Sequence, residues 1–316
     1  MAAQNFSEDE QHKTFGDLSC WPDSTSGLPN GQLTFLSVLN SFLSVTAFLG
    51  NALILVAFHK KSSLHPPSKL LLCSLAATDL CVGLIAEPLG VISWITVATG
   101  HQNIYRYTKP VGCTAANIFC GVSALTLTAI SVDRLHALLL GLRYKQFVTL
   151  KRTYVIVITL WFLPALLSAM WFWNPSINVL SSIIGIPLCL ITSIFSYTKI
   201  FLTLRHHQNQ VQDHVQQPNQ TNQLNIVRYK KAVSTAVWLQ LTLVACYLPF
   251  SVAMALVTSS GRSLSFSNAW NYAITLAFLN SALNPILLCW KLVEIRQAAK
   301  TTIRQVLCLC FSSLVL

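Results

Sequence analysis

The chain has 316 residues, of which 10% are charged and 53% hydrophobic, and its mean hydropathy is +0.55. Soluble globular chains carry about 25% charged residues, so the composition argues against a soluble enzyme or a disordered chain and points to a membrane protein. The net charge of +11 would suit nucleic acid, but in a membrane chain basic residues gather on the cytosolic face, and no nucleic-acid partner is expected.

In chain order, a polar tail over residues 1–30 comes first. It holds the sequon Asn5-Phe6-Ser7, a glycosylation acceptor if that end lies outside the cell. It has no apolar core, so no cleavable signal peptide is expected and the first span is read as its own insertion signal. A bilayer core of about 30 Å takes roughly 20 apolar residues in a helix. Seven windows of that kind follow, at Leu33–Phe58, Leu70–Trp94, Val111–Val132, Thr153–Trp173, Ile177–Thr198, Ala232–Thr258 and Phe266–Trp290. The fourth and fifth share one stretch free of Asp, Glu, Lys and Arg, about twice a bilayer long at about 1.5 Å per residue. The break is expected at Trp173-Asn174-Pro175, because proline disfavours helix in the residue before it. The expected fold is all-α, a seven-helix transmembrane bundle over 31–290.

Lys and Arg in the connections set the orientation. Sixteen lie in the loops after spans one, three and five and in the C-terminal tail, against four (Lys13, Arg106, Lys109 and Arg262) on the other side. The N-terminus is therefore expected outside and the C-terminus in the cytosol. Residues 205–227 are rich in Gln, Asn and His and read as a flexible cytosolic loop; His206-His207 lacks a third metal ligand at a fixed spacing. Beyond the spans, 291–316 reads as a cytosolic tail. Within it Leu292–Val306 places Ile295, Ala299, Ile303 and Val306 on one helical face and Arg296, Lys300 and Arg304 on another, the pattern of an interfacial helix. Cys308 and Cys310 follow, either palmitoylation sites beside the membrane or free cytosolic thiols.

Ionisable groups inside a bilayer are costly and are functional candidates by default. Asp79 lies near the middle of span two, with Asn51, Ser123, Asn280, Ser281 and Asn284 as polar partners on other spans. A lone carboxylate among such oxygens either stays protonated or holds a small cation. Asp133-Arg134 is expected to pair at the inner end of span three, and Pro249 and Pro285 interrupt spans six and seven.

In this order and spacing the motifs resemble those of the class A (rhodopsin-like) G-protein-coupled receptors, from about Leu33 to Cys310. They are Gly50-Asn51, Leu75-Ala76-x-x-Asp79, Ser131-Val132-Asp133-Arg134, Leu142-Arg143-Tyr144, Trp161, Tyr197-x-x-Ile200-Phe201, Cys246-Tyr247-Leu248-Pro249 and Asn280-Ser281-Ala282-Leu283-Asn284-Pro285. The resemblance implies a plasma-membrane receptor that binds an extracellular ligand and activates heterotrimeric G proteins when the sixth helix moves outward. It also implies arrestin and receptor kinases as later partners. Asp133, Arg134, Leu142 and Tyr197 take the coupling positions. Asp79, Ser123, Asn280, Ser281 and Asn284 match the family's site for an allosteric sodium ion, and no other cofactor is expected. Tyr247 stands at the floor of the ligand cavity, where tryptophan is usual.

Several positions depart from the family pattern. Leu135 follows Asp-Arg and Leu288 ends the span-seven motif where tyrosines are usual, Tyr229 replaces a common acid of span six, and Leu243 replaces a phenylalanine. These changes imply altered activation and measurable ligand-independent signalling. Lys109 stands where a bridging cysteine is usual, and no cysteine lies between Cys120 and Cys189, so the usual external disulfide cannot form; Cys20 with Cys113 is an alternative pairing. The missing bridge, the short second external loop and the shifted Pro187 are similar either to the melanocortin, cannabinoid and lysophospholipid branch or to a divergent lineage of the same family. Ala116 in place of an acid argues against an amine ligand, and Phe278 in place of a lysine argues against retinal. A pocket near Glu87, Ala116, Asn117, Tyr247, Phe250, Met254 and Ile274 would be largely apolar and would suit a lipid-like or small peptide ligand. Glu87 would either meet a cationic ligand group or pair with Lys109 or Arg106. The competing readings are a decoy or scaffolding seven-helix protein with weak coupling, and a transporter, although no internal repeat is visible. No enzyme constellation appears.

Overall fold

In the computed structural model, which describes residues 28–60, 64–170, 174–213, 220–260 and 264–314, the described residues form helices and turns without strands. The helices are α1 (Asn30–Lys60), α2 (Pro66–Ala98), α3 (Gln102–Leu140), α4 (Leu150–Met170), α5 (Pro175–Asp213), α6 (Gln220–Ser260), α7 (Leu264–Lys291) and α8 (Val293–Leu314). Each of α1 to α7 contains a stretch long and apolar enough to cross a membrane. Pro66 and Pro175 open α2 and α5 at the position where a missing N–H costs nothing.

α3 packs against α2, α4, α5 and α6, while α1 packs against α2, α7 and α8. The shared core runs from Ile54 and Leu75 through Leu127 to Leu239, Leu243, Tyr247 and Trp270. Apolar side chains also point outward, with Phe42 69%, Ile191 64% and Phe201 64% exposed. Such a coat is stable where lipid is the solvent, and helices suit that solvent because they satisfy their own backbone.

Glycines set two close approaches. A Cβ at Gly50 would stand 2.7 Å from Pro285 Cγ, and one at Gly83 would stand 2.7 Å from the Phe48 backbone nitrogen and 2.8 Å from the Ser44 carbonyl oxygen. Ser44 Oγ donates to the Gly83 carbonyl at 2.7 Å, tying α1 to α2 at that point.

Gly83 lies in a π-helical turn, Val82–Ala86, inside α2. Pro88 follows, and its ring clashes with the carbonyl four residues back, which favours a locally wider helix. A π turn inserts about one extra residue. Glu87, eight positions after Asp79, is thereby brought close to two full turns above it on the same face.

The expected loop over 205–227 is shortened at both ends. α5 continues to Asp213 and α6 starts at Gln220. Glutamine and arginine are good helix formers and no Gly or Pro intervenes before Pro218, so polarity here marks helix that extends past the apolar span. α8 begins at Val293 as anticipated and runs past the expected end, through Cys310. Lys60 ties it to α1 by donating to Gln305 Oε1 at 2.7 Å and Thr302 Oγ1 at 3.2 Å.

Candidate functional site

Asp79 is fully buried near the centre of the bundle. Its carboxylate accepts hydrogen bonds from Ser123 Oγ (3.0 Å) on α3, Ser281 Oγ (2.9 Å) and Asn284 Nδ2 (2.6 Å), both on α7. Asn51 does not bond to Asp79; its amide donates to the Ser281 carbonyl at 3.0 Å and joins α1 to α7. Asn280 is also fully buried, and neither of its amide atoms has a hydrogen-bond partner. The side-chain oxygens of Asn51, Asn280 and Asn284 accept no hydrogen bond. A carboxylate, hydroxyls and amide oxygens are hard ligands that suit a small alkali or alkaline-earth cation, so the donor set fits sodium. A bound cation would supply the positive charge that this buried carboxylate otherwise lacks.

At the end of the bundle that carries α8, Asp133 is nearly enclosed. Arg134 Nη2 donates to its Oδ2 at 2.6 Å, Ser68 Oγ donates to the same oxygen at 3.0 Å, and Tyr144 Oη donates to Oδ1 at 2.6 Å. Tyr144 comes from a one-turn helix, Tyr144–Phe147, and is buried. Burial and, after it, the carboxylate of Asp133 push the Tyr144 hydroxyl up to about 12, so it keeps its proton and remains a donor. The His65 ring stands 5.3 Å from the Tyr144 ring, and burial holds His65 below its usual 6.5 against the opposing pull of Asp133. The role of Tyr144 was not anticipated from its motif, which had pointed to Leu142. Leu142 sits in the 3-10 turn Gly141–Arg143, and its side chain lies outside those described. Tyr197 is half-buried on α5.

Near the start of α8, α6 and α7 meet through aromatic and cationic groups. The Trp238 and Trp290 rings stand edge to face, 5.3 Å apart. Lys291 Nζ lies 3.9 Å from the Trp290 centroid and 5.0 Å from that of Trp238, and donates to Ser234 Oγ at 3.4 Å.

Towards the opposite end lies a cavity of about 160 Å³ between α3, α4, α5, α6 and α7, lined by Asn117, Cys120, Leu163, Ser181, Tyr247 and Phe250, among others. A second cavity of about 80 Å³ lies between α2, α3 and α7, lined by Trp94, Tyr105, Lys109, Trp270 and Asn271. Ala116, Ile274 and Phe278 line both. Tyr247 Oη donates to the Cys120 carbonyl at 3.2 Å and forms part of the inner wall. Five of the seven expected pocket residues, Ala116, Asn117, Tyr247, Phe250 and Ile274, therefore surround the first cavity.

Glu87 and Met254 line neither cavity. Met254 is packed into the core. Glu87 is fully buried and neither carboxylate oxygen has a hydrogen-bond partner, so the expected pairing with Lys109 or Arg106 is not made. Glu87 follows directly on the π turn Val82–Ala86 and is packed into the interior. Cys308 is exposed on α8. Asn5, Cys20 and the side chains of Cys310 and Tyr229 lie outside the described residues.

The rhodopsin-family model of seven-transmembrane receptors matches residues 50–174 and 169–288. Among similar proteins, melanocortin receptor 4 of Danio rerio is 24% identical over 277 residues, covering 85% of this chain and 84% of the relative. Melanocortin receptor 3 of Homo sapiens is 24% identical, covering 92% and 97%. The follicle-stimulating hormone receptor of Mesocricetus auratus is 25% identical over 305 residues, covering 86% of this chain but 41% of that longer protein. These similar proteins are receptors rather than enzymes. With seven membrane-length helices and a family match over most of its length, the chain belongs to the rhodopsin family of seven-transmembrane receptors, cell-surface proteins that signal through G proteins.

Proposed function

We propose that this receptor places the α8 end of its bundle in the cytosol and activates heterotrimeric G proteins there when an extracellular ligand favours outward movement of α6. The observation that carries the reading is the corner around Asp133. Arg134 is held by a carboxylate that Tyr144 and Ser68 also hold. A ligand acts by binding one arrangement of the helices better than the other, since only differential affinity shifts a population.

The Asp79 cluster is read as a sodium site that favours the resting arrangement, because its oxygens come from α2, α3 and α7 together. The excess of Lys and Arg in the α8-side loops and tail supports the orientation. An exposed Cys308 on an amphipathic α8 fits palmitoylation.

Coupling is tested by expressing the full-length protein with each G-protein class in turn and measuring nucleotide exchange in membranes. At least one class is expected to exchange faster than with membranes from vector-transfected cells. Exchange at the vector level for every class would support a decoy receptor instead.

A further inference from the structure

We infer that the contact of α6 with α7 near α8 binds the headgroup of an anionic phospholipid, whose phosphate meets Lys291 and Ser234 and whose chains run along Trp238 and Trp290. This surface lies outside both cavities, and its binding of lipid does not depend on whether the receptor couples to a G protein.

Depth is the first argument. The membrane-length stretch of α7 ends at Lys291, and that of α6 begins at Val237. Lys291, Trp290 and Trp238 therefore lie where the hydrocarbon core gives way to headgroups, the level at which tryptophan gathers and lipid phosphates reside. Trp238 is 40% and Trp290 55% exposed, so both indoles face outward from the bundle.

Charge is the second. A lysine at the end of a span commonly extends its ammonium into water. Lys291 is instead held in place, with Nζ 3.9 Å from the Trp290 centroid, 5.0 Å from that of Trp238 and 3.4 Å from Ser234 Oγ. Among the described residues no carboxylate pairs with it, Glu294 three positions on included. The carbonyls at the end of α7 attract the ammonium but carry only partial charge, so a full anion still gains there. Ser234 Oγ accepts the bond from Lys291 and keeps its own proton to donate. Ammonium and hydroxyl thus stand 3.4 Å apart on two helices, a span that two oxygens of one phosphate can bridge.

The ring faces are the third, and they separate anionic from zwitterionic lipid. Aromatic faces are what choline seeks in a protein. Here Lys291 already lies against both rings, so the trimethylammonium of phosphatidylcholine meets a like charge. Phosphatidylglycerol brings the phosphate without the cation.

The test uses full-length receptor in phosphatidylcholine nanodiscs in which a fixed share of the lipid is dibrominated phosphatidylglycerol or, in a parallel sample, dibrominated phosphatidylcholine. Bromine quenches indole fluorescence on contact, and the quenching lost in Trp290→Phe reports the lipid beside Trp290. Phosphatidylglycerol is expected to be favoured there about fivefold, the size of one lysine's attraction to anionic lipid. The preference should vanish in Lys291→Gln and persist in Lys291→Arg. It should also persist in Lys300→Gln, which removes an exposed charge about two turns into α8. Total quenching compared between wild type and Lys291→Gln gives the same answer without the tryptophan variant. Equal quenching by the two lipids in the wild type, an undiminished preference in Lys291→Gln, or one lost as fully in Lys300→Gln would overturn the inference.

Discussion

Asp79 and Asp133 are both buried carboxylates, yet their surroundings differ in one respect that decides their chemistry. Asp133 has a fixed cation, Arg134, and donors on both oxygens. Asp79 has three neutral donors and no cation among the described residues. Its site therefore gains from an added positive ion, and purified receptor should unfold at a higher temperature in sodium chloride than in choline chloride of equal ionic strength. In Asp79→Asn that difference should vanish; a sodium effect of unchanged size would remove the ion from this cluster. At Asp133 the Tyr144 hydroxyl is the donor at stake. Tyr144→Phe should cost about 1.5–3 kcal/mol of stability, the range for a bond to a charged group, read as a lower unfolding midpoint. The sign with pH follows from the raised hydroxyl: its contribution is full below the ordinary value of 10 and is lost as pH rises from there to about 12.

At the scale of elements, the contacts between helices decide what can move. α1 and α2 are locked at Gly83, where an added methyl would meet the backbone of α1 at two atoms. Backbone yields less than a side chain end, so Gly83→Ala is expected to destabilise by at least the usual overpacking cost of about 1–3 kcal/mol; wild-type thermal stability in that variant would contradict the packing described. α6 and α7, in contrast, are joined near the α8 end by Trp238, Trp290 and Lys291. An aromatic pair contributes about 0.5–1.5 kcal/mol and a cation over a ring about 0.5–1 at exposed sites. On the proposed mechanism, outward movement of α6 would break these contacts. Trp238→Ala should therefore raise basal nucleotide exchange, by roughly tenfold in the population of the open arrangement if about 1.4 kcal/mol is lost.

For the whole molecule, the seven helices and the buried Asp79 with Ser123, Ser281 and Asn284 were legible in the sequence because membrane physics is severe, whereas Asn51 and Asn280, also expected there, do not bond to Asp79. A span needs a run of apolar residues, and a buried acid stands out against it. The pairing of Asp133 with Arg134 was legible for the same reason. What escaped were features that depend on the third dimension. Glu87 was expected in the pocket, but it is buried and lines neither cavity. The Trp238–Lys291 clasp joins residues from separate helices that belong to no motif. Tyr144 becomes a partner of Asp133 only once the short loop folds back on α3. The polar stretch after span five read as loop because its composition departs from the membrane pattern, although its residues are compatible with helix.

On the proposed mechanism the α8 end is a signalling face at which Arg134 engages the G protein and the α6–α7 contact holds the resting arrangement. The decisive measurement is basal nucleotide exchange in membranes, on the G-protein class that responds, with wild type, Trp238→Ala and Arg134→Ala compared at equal surface expression. Exchange above wild type is expected for Trp238→Ala, and exchange near vector level for Arg134→Ala. Exchange that survives Arg134→Ala at the wild-type rate would contradict the mechanism.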